Sequence, residues 1–408
     1  MRTGNRRRCR HWVPAVGVWV GLQAALAATP PTIRTLFTTG PSARRIDIVF
    51  IAEGYTESEI PLFELHTAYA NDRLFSSEPF KEYRNYFNAF VLSVASRESG
   101  SDHPSQGIFR DTYFNSSYDS YGLGHGLTIP PNDRDPDIEN GYGKAYHLLE
   151  QVFPDWDLLV FIVNDPVFGG WGDRRGVVCS TNYYIGEVIA HELGHTLAGL
   201  GDEYADPFPN DPEPVVEQPN TTQETRRELI KWRAWIDDST PIPTPVSASY
   251  RYVIGLFEGA RYQEKGWYRP KFWCRMRNWI NPFCEVCTEA LVKSIYSRTG
   301  VVDSFSPPVA RLHLTSDTLQ LSVIPFLPAT HSLRATWYID GHRVAGPDDA
   351  YLPLEIRRGA LRLGAHQVKV EVSDPTTMVR SDPEHLLKQE VEWEIQVSDR
   401  RPRRSRER

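Results

Sequence analysis

Ile189-Ala190-His191-Glu192-Leu193-Gly194-His195-Thr196-Leu197-Ala198-Gly199-Leu200-Gly201-Asp202-Glu203-Tyr204 is the stretch from which the rest of the chain is read. It ends an apolar run with helical spacing, Tyr183 to Ala198, and contains His-Glu-x-x-His. On a helix, His191 and His195 lie one turn apart on the same face, so both imidazoles reach a single metal ion. Glu192 stands beside them, where a carboxylate can hold the water that such an ion activates. Asp202 follows His195 by seven residues. On an unbroken helix that is roughly 10 Å along the axis, and metal–ligand bonds of about 2 Å do not span it. For Asp202 to share the ion, the helix must stop and the chain must turn back. Gly199 and Gly201 are the residues that permit this.

Outward from this stretch, composition sets the frame. A chain of 408 residues exceeds one compact core, and two domains are expected. A hydrophobic content of 40% and a charged content of 24% fit a globular protein. The net charge of −7 argues against nucleic acid as the main partner. Arg2, Arg6, Arg7, Arg8 and Arg10 precede a mostly apolar segment from Trp12 to Leu26, and Ala25-Leu26-Ala27 offers a cleavage site. Residues 1–28 are therefore expected to be a signal peptide and the protein to be exported. No other stretch is long and apolar enough to span a bilayer. Export leaves Cys179, Cys274, Cys284 and Cys287, for which two disulfides are expected. The competing zinc ribbon of all four cysteines is weakened by the long gap between the first two.

Up to residue 198, strands and helices alternate, which predicts an α/β catalytic domain over residues 29–300. Strands are expected at 46–52, 88–95, 156–163 and 176–182, and helices at 57–74, 142–152, 183–198, 224–235 and 288–297. Thr56 and Glu59 form a capping box for the first helix. Gly169-Gly170-Trp171-Gly172-Asp173 reads as a tight, glycine-rich turn, and the strand after it, at 176–182, is a candidate sheet edge for binding an extended peptide. Residues 99–141 read as a long irregular surface excursion, with His103 and His125 facing solvent. Asn115-Ser116-Ser117 and Asn220-Thr221-Thr222 are glycosylation sequons. After Ser306-Pro307-Pro308 the pattern becomes β, with Asp340-Gly341 as a hairpin turn and Trp337 as a core residue. Residues 307–398 are expected to form an all-β immunoglobulin-like sandwich, followed by a basic disordered tail at 399–408.

The motif departs from the short metzincin spacing. Ala198 stands where that pattern has glycine, and the glycine and the acid come one residue later, at Gly199 and Asp202. The lengthened form resembles a family of secreted zinc peptidases named after an immunoglobulin A peptidase. The resemblance extends to Ile46-Asp47-Ile48-Val49-Phe50-Ile51-Ala52-Glu53-Gly54-Tyr55-Thr56, Glu98-Ser99-Gly100-Ser101-Asp102-His103-Pro104, Lys231-Trp232-Arg233-Ala234-Trp235-Ile236, Gly255-Leu256-Phe257-Glu258-Gly259-Ala260, Cys274-Arg275-Met276 and Phe283-Cys284-Glu285-Val286-Cys287. It spans roughly residues 46 to 298 and does not reach the C-terminal sandwich. It implies a zincin-like, metzincin-like fold and a zinc metalloendopeptidase acting on protein or peptide substrates. His191, His195 and Asp202 would bind Zn2+, Glu192 would be the general base, and Met276 would form the floor under the metal. Tyr204 and Tyr268 are candidate donors to developing oxyanion charge. Glu203 remains an alternative third ligand, and a glutamate from a later helix, Glu224 or Glu228, is another. A reading from a different class makes the sandwich a module that binds a glycan or a protein, with the zincin domain as its scaffold.

Overall fold

The computed structural model describes residues 31–130, 141–206, 216–344 and 353–398. The expected signal peptide and basic tail lie outside the described residues. The main sheet has six strands: β1 (Thr32–Phe37), β2 (Ile46–Glu53), β3 (Phe87–Ser93), β4 (Leu158–Val163), β5 (Gly170–Asp173) and β6 (Gly176–Ser180). Every residue of β2, β4 and β6 is buried. Strands without an exposed face belong inside a sheet covered on both sides, and the order β1-β3-β2-β4-β6-β5 places them there. β3, β2, β4 and β6 run parallel, while β1 and β5 close the two edges antiparallel.

Among the described residues four α-helices accompany this sheet: α1 (Ile60–Leu74), α2 (Gly141–Val152), α3 (Ile185–Ala198) and α4 (Glu285–Thr299). The capping box forms as expected. The Thr56 backbone N–H donates to Glu59 Oε2 at 2.9 Å, and a short 3-10 turn at Glu57–Glu59 leads into α1. α3 packs against α1, α4, β5 and β6. The segment 224–235 is not a helix. It holds 3-10 turns at Arg227–Leu229 and Arg233–Trp235. A long-range bond outweighs its helical pattern, the Trp232 indole donating to Gly255 O at 2.8 Å, and Glu224 makes a local pair with Arg226 instead of a helical turn.

The expected edge strand also differs. β6 is interior, and the edge is β5, from the glycine-rich segment that reads as a turn in sequence. The glycines there serve close approach instead. A Cβ on Gly172 would lie 2.6 Å from Glu192 O, and one on Gly170 would lie 2.6 Å from a Val188 methyl. The excursion after β3 is tied down rather than free. Glu53, wholly buried at the end of β2, accepts from Thr112 Oγ1 at 2.5 Å, Phe114 N at 2.9 Å and Ser116 N at 2.8 Å. His103 is buried, stacks on Tyr118 and bonds Asp165 at 2.8 Å, so it does not face solvent; His125 does. Asn220 is also buried and clamps Gly201 through both its donor and its acceptor, which takes its sequon out of reach of a glycan.

A hairpin, β7 (Ile254–Ala260) and β8 (Gln263–Lys271), follows. Among the described residues eight further strands come after α4: β9 (Val302–Ser306), β10 (Arg311–Leu314), β11 (Thr318–Pro325), β12 (Arg334–Ile339), β13 (His342–Arg343), β14 (Leu354–Arg357), β15 (Gly364–Ser373) and β16 (Lys388–Val397). They form a five-stranded sheet, β10-β16-β15-β12-β13, and a three-stranded one, β14-β11-β9. Asp340 and Gly341 both have positive φ, 51° and 78°, as a two-residue hairpin turn between β12 and β13 requires. Trp337 stacks on Trp393 at 5.8 Å, and Phe305 of the smaller sheet meets Trp393 at 6.0 Å. A polar cluster joins these sheets to the first half of the chain. His331 bonds Glu82 at 2.9 Å and Asp374 at 2.6 Å, and Asp374 also accepts from Tyr83 and Tyr296. The whole is a mixed α/β structure with several sheets and few helices. Among the described residues no helix is long and apolar enough to cross a membrane.

Candidate active site

α3 stops where the spacing of the motif requires it to. Gly199 adopts a left-handed conformation with φ 61°, its N–H bonds His195 O at 3.0 Å, and Leu200 N–H bonds Gly194 O at 3.0 Å. The reversal brings Asp202 back to the histidine face. Asp202 Oδ1 lies 3.2 Å from His191 Nε2 and 3.5 Å from His195 Nε2. Ligand atoms on a tetrahedral zinc with bonds near 2 Å stand about 3.3 Å apart, so the three atoms fit one ion.

The surroundings fix which ring nitrogens face that point. His191 Nδ1 bonds Arg275 O at 2.9 Å, and His195 Nδ1 bonds Leu200 O at 2.7 Å. A carbonyl only accepts, so each Nδ1 carries the hydrogen and each Nε2 faces Asp202 Oδ1, where it could ligate a metal. Asp202 is anchored by its other oxygen, which accepts from Tyr262 OH at 2.5 Å. Asp202 Oδ1 is buried without a hydrogen-bond partner. A carboxylate oxygen shut away from water, with only the two imidazole nitrogens facing it, calls for a shared cation. Burial alone would raise the Asp202 carboxyl, but the two imidazoles outweigh it and hold the group well below the usual carboxylate range. Burial likewise pulls the His195 imidazole down, and Asp202 more than offsets this, carrying it up to about 9. Burial pushes the Glu192 carboxyl up, against the opposing pull of His191 and His195.

The candidates from sequence divide as follows. His191, His195 and Asp202 converge, with Glu192 on the same helix beside β5. Met276 is wholly buried, and its sulfur occupies the space a side chain on Gly194 would need, 2.7 Å from that Cβ position. Glu203 turns to a different group of residues, Cys274, Cys284 and Cys287. Glu224 pairs with Arg226, and neither it nor Glu228 joins the histidines. Tyr204 packs edge-on against Tyr262 at 5.2 Å. Tyr268 pairs its backbone with Thr222 in β8. Tyr262 was not legible in the sequence: it sits at the hairpin tip between β7 and β8, 60 residues from Asp202, and carries no motif. The two expected disulfides do not form, and all four described cysteines are free thiols. Cys179 bonds Ser180 O and Ile185 O in the main core, apart from the other three, so the four cannot pair two by two.

The model of one known family, described as IgA Peptidase M64, matches residues 35–252 and 246–295. The match covers the main sheet from within β1 onward, α3, the hairpin and most of α4. No curated protein matches the chain. With well over half of its residues aligned to that model, the chain belongs to the IgA peptidase M64 family and is a peptidase.

Proposed function

We propose that the protein is an exported zinc metalloendopeptidase that hydrolyses internal peptide bonds of protein substrates. The observation that carries the reading is the convergence of His191 Nε2, His195 Nε2 and the buried Asp202 Oδ1 on one point, with the far side of each of the three residues tied down. His191, His195 and Asp202 would hold the metal. When bound, zinc would supply Lewis acidity toward a water and the scissile carbonyl. Glu192 would accept a proton from the attacking water and pass it to the leaving amine, a role helped by the burial that raises its carboxyl. β5 would offer its edge to the substrate backbone, since Gly170 and Gly172 set it directly along α3.

In this reading residues 29–300 are a zincin-like domain, and residues 307–398 an immunoglobulin-like sandwich that follows it. The signal peptide over residues 1–28 accounts for export. Membership of a peptidase family favours this reading over a binding protein with an inert scaffold. The test is digestion of a denatured protein mixture by zinc-loaded wild type and Glu192→Gln. The variant is expected to keep its metal and lose at least a hundredfold in cleavage rate. Undiminished proteolysis in Glu192→Gln would overturn the proposal.

A further inference from the structure

We propose that Glu203, Cys274, Cys284 and Cys287 form a second metal centre, a closed tetrahedral zinc site that fixes the loops beneath the candidate active site. The four residues come from three segments: the loop after α3, the turn carrying Met276, and the start of α4. One ligand atom from each lies within 4.8 Å of all the others, and all four residues are buried. Cys274 Sγ and Cys287 Sγ are 3.6 Å apart, and Cys287 Sγ is 3.1 Å from Glu203 Oε1. Sulfur and oxygen ligands on a tetrahedral zinc stand about 3.5–3.8 Å apart, so a small adjustment completes the shell. A site with no open position and no exposed ligand is of the structural kind.

Four observations beyond proximity point to a cation. Glu203 is wholly buried, and its Oε2 has no hydrogen-bond partner, while Oε1 accepts from Asn220 at 2.9 Å. A buried carboxylate oxygen without a donor is costly unless a positive charge meets it. Cys284 N–H donates to Cys274 Sγ at 3.3 Å, a bond that favours sulfur as thiolate. Cys284 is the N-cap of α4 and Cys287 lies in its first turn, the end of a helix that stabilises negative charge. The Cys-x-x-Cys spacing is that of zinc ligands. A disulfide is the competing use of these thiols. One bridge would consume two of the three and leave both the third and Glu203 without a role, whereas a metal engages all four.

The placement gives the site a task. Glu203 follows Asp202 directly, and its backbone N–H bonds Met276 O at 2.8 Å. Cys274 is two residues before Met276, and the Arg275 carbonyl between them holds His191 Nδ1. One ion would therefore pin the segment bearing Asp202 and the segment bearing Met276 to the end of α4. On ligation each thiol would release its proton to solvent.

The test uses the full chain, purified under reducing conditions, with His191→Ala/His195→Ala to remove the first centre, and Co2+ as the probe. One cobalt per chain with intense sulfur-to-cobalt charge-transfer absorption is expected, because histidine and carboxylate ligands give no such band. Glu203→Gln, which leaves every thiol in place, is expected to weaken Co2+ binding at least tenfold. Wild type should hold two zinc ions per chain. No charge-transfer band, or a disulfide among the three cysteines by mass spectrometry of a second preparation purified without reductant and then alkylated, would overturn the proposal. The readout does not depend on cleavage, so an inactive Glu192 would leave it standing.

Discussion

Gly172→Ala is the sharpest test of how β5 meets α3, the helix that carries Glu192. A Cβ at this position would lie 2.6 Å from Glu192 O, 2.7 Å from Glu192 Cβ and 2.8 Å from Glu192 Cα. These are atoms of the helix itself and its first side-chain carbon, so no rotamer change relieves them. Restoring ordinary contact requires β5 and α3 to separate by about 0.8 Å. Overpacking of this kind costs about 1–3 kcal/mol. The displaced atoms carry Glu192, and a misplacement approaching 1 Å in a reacting group lowers rate by about a hundredfold. Gly359→Ala is the control, since a Cβ there meets nothing within 4 Å. The assay pairs urea denaturation midpoints with kcat/KM on a quenched peptide. Gly172→Ala should lose both stability and activity, and Gly359→Ala neither. If the two variants are indistinguishable, close approach of β5 to α3 is not what the glycine provides.

Tyr262→Phe removes the bond that holds Asp202 Oδ2, and zinc affinity should fall about 10–100-fold in competition with a chromophoric chelator; unchanged affinity would show that Asp202 needs no such support. In metal-free protein His195 binds a proton up to about pH 9, so zinc binding below that pH must expel it and affinity must fall as pH drops. Calorimetry in two buffers of different ionisation enthalpy reads the proton released, and equal heats would contradict the imidazolium. His331→Ala removes one hydrogen-bond partner from each of two buried carboxylates, Glu82, which keeps Thr330, and Asp374, which keeps Tyr83 and Tyr296, and should destabilise the protein by about 2 kcal/mol. A change below about 1 kcal/mol in chemical denaturation would mean that the cluster is well solvated.

What the sequence made legible was local. The apolar density of 46–52 and 156–163 placed the central strands, the Thr56 and Glu59 pair placed the start of α1, and the gap from His195 to Asp202 required the stop at Gly199. What escaped depended on contacts between distant residues. His103 reads as a loop residue because Asp165 and Tyr118, which bury it, come 62 and 15 positions later. Gly170 and Gly172 read as a turn because the helix they admit comes afterwards in the chain. The cysteines suggested bridges because spacing cannot show that Glu203 is the fourth member of their group or that Cys179 is elsewhere. In segment 224–235 the helical period was present, yet the bond from Trp232 to Gly255 outcompeted it.

The left-handed stop at Gly199 has a consequence for how this family can vary. The carbonyl of Leu200, exposed by that reversal, is the atom that receives His195 Nδ1. Helix termination and choice of imidazole tautomer are thus one event. The length of the Gly199–Asp202 link is then not a freely drifting loop length. Deleting one residue there would move the carbonyl off His195 and turn Asp202 and Glu203 each toward the other's neighbours. Insertions and deletions should be tolerated on the far side of Tyr204 and excluded on the near side, and a library of single-residue deletions scored for retained metal would map that boundary.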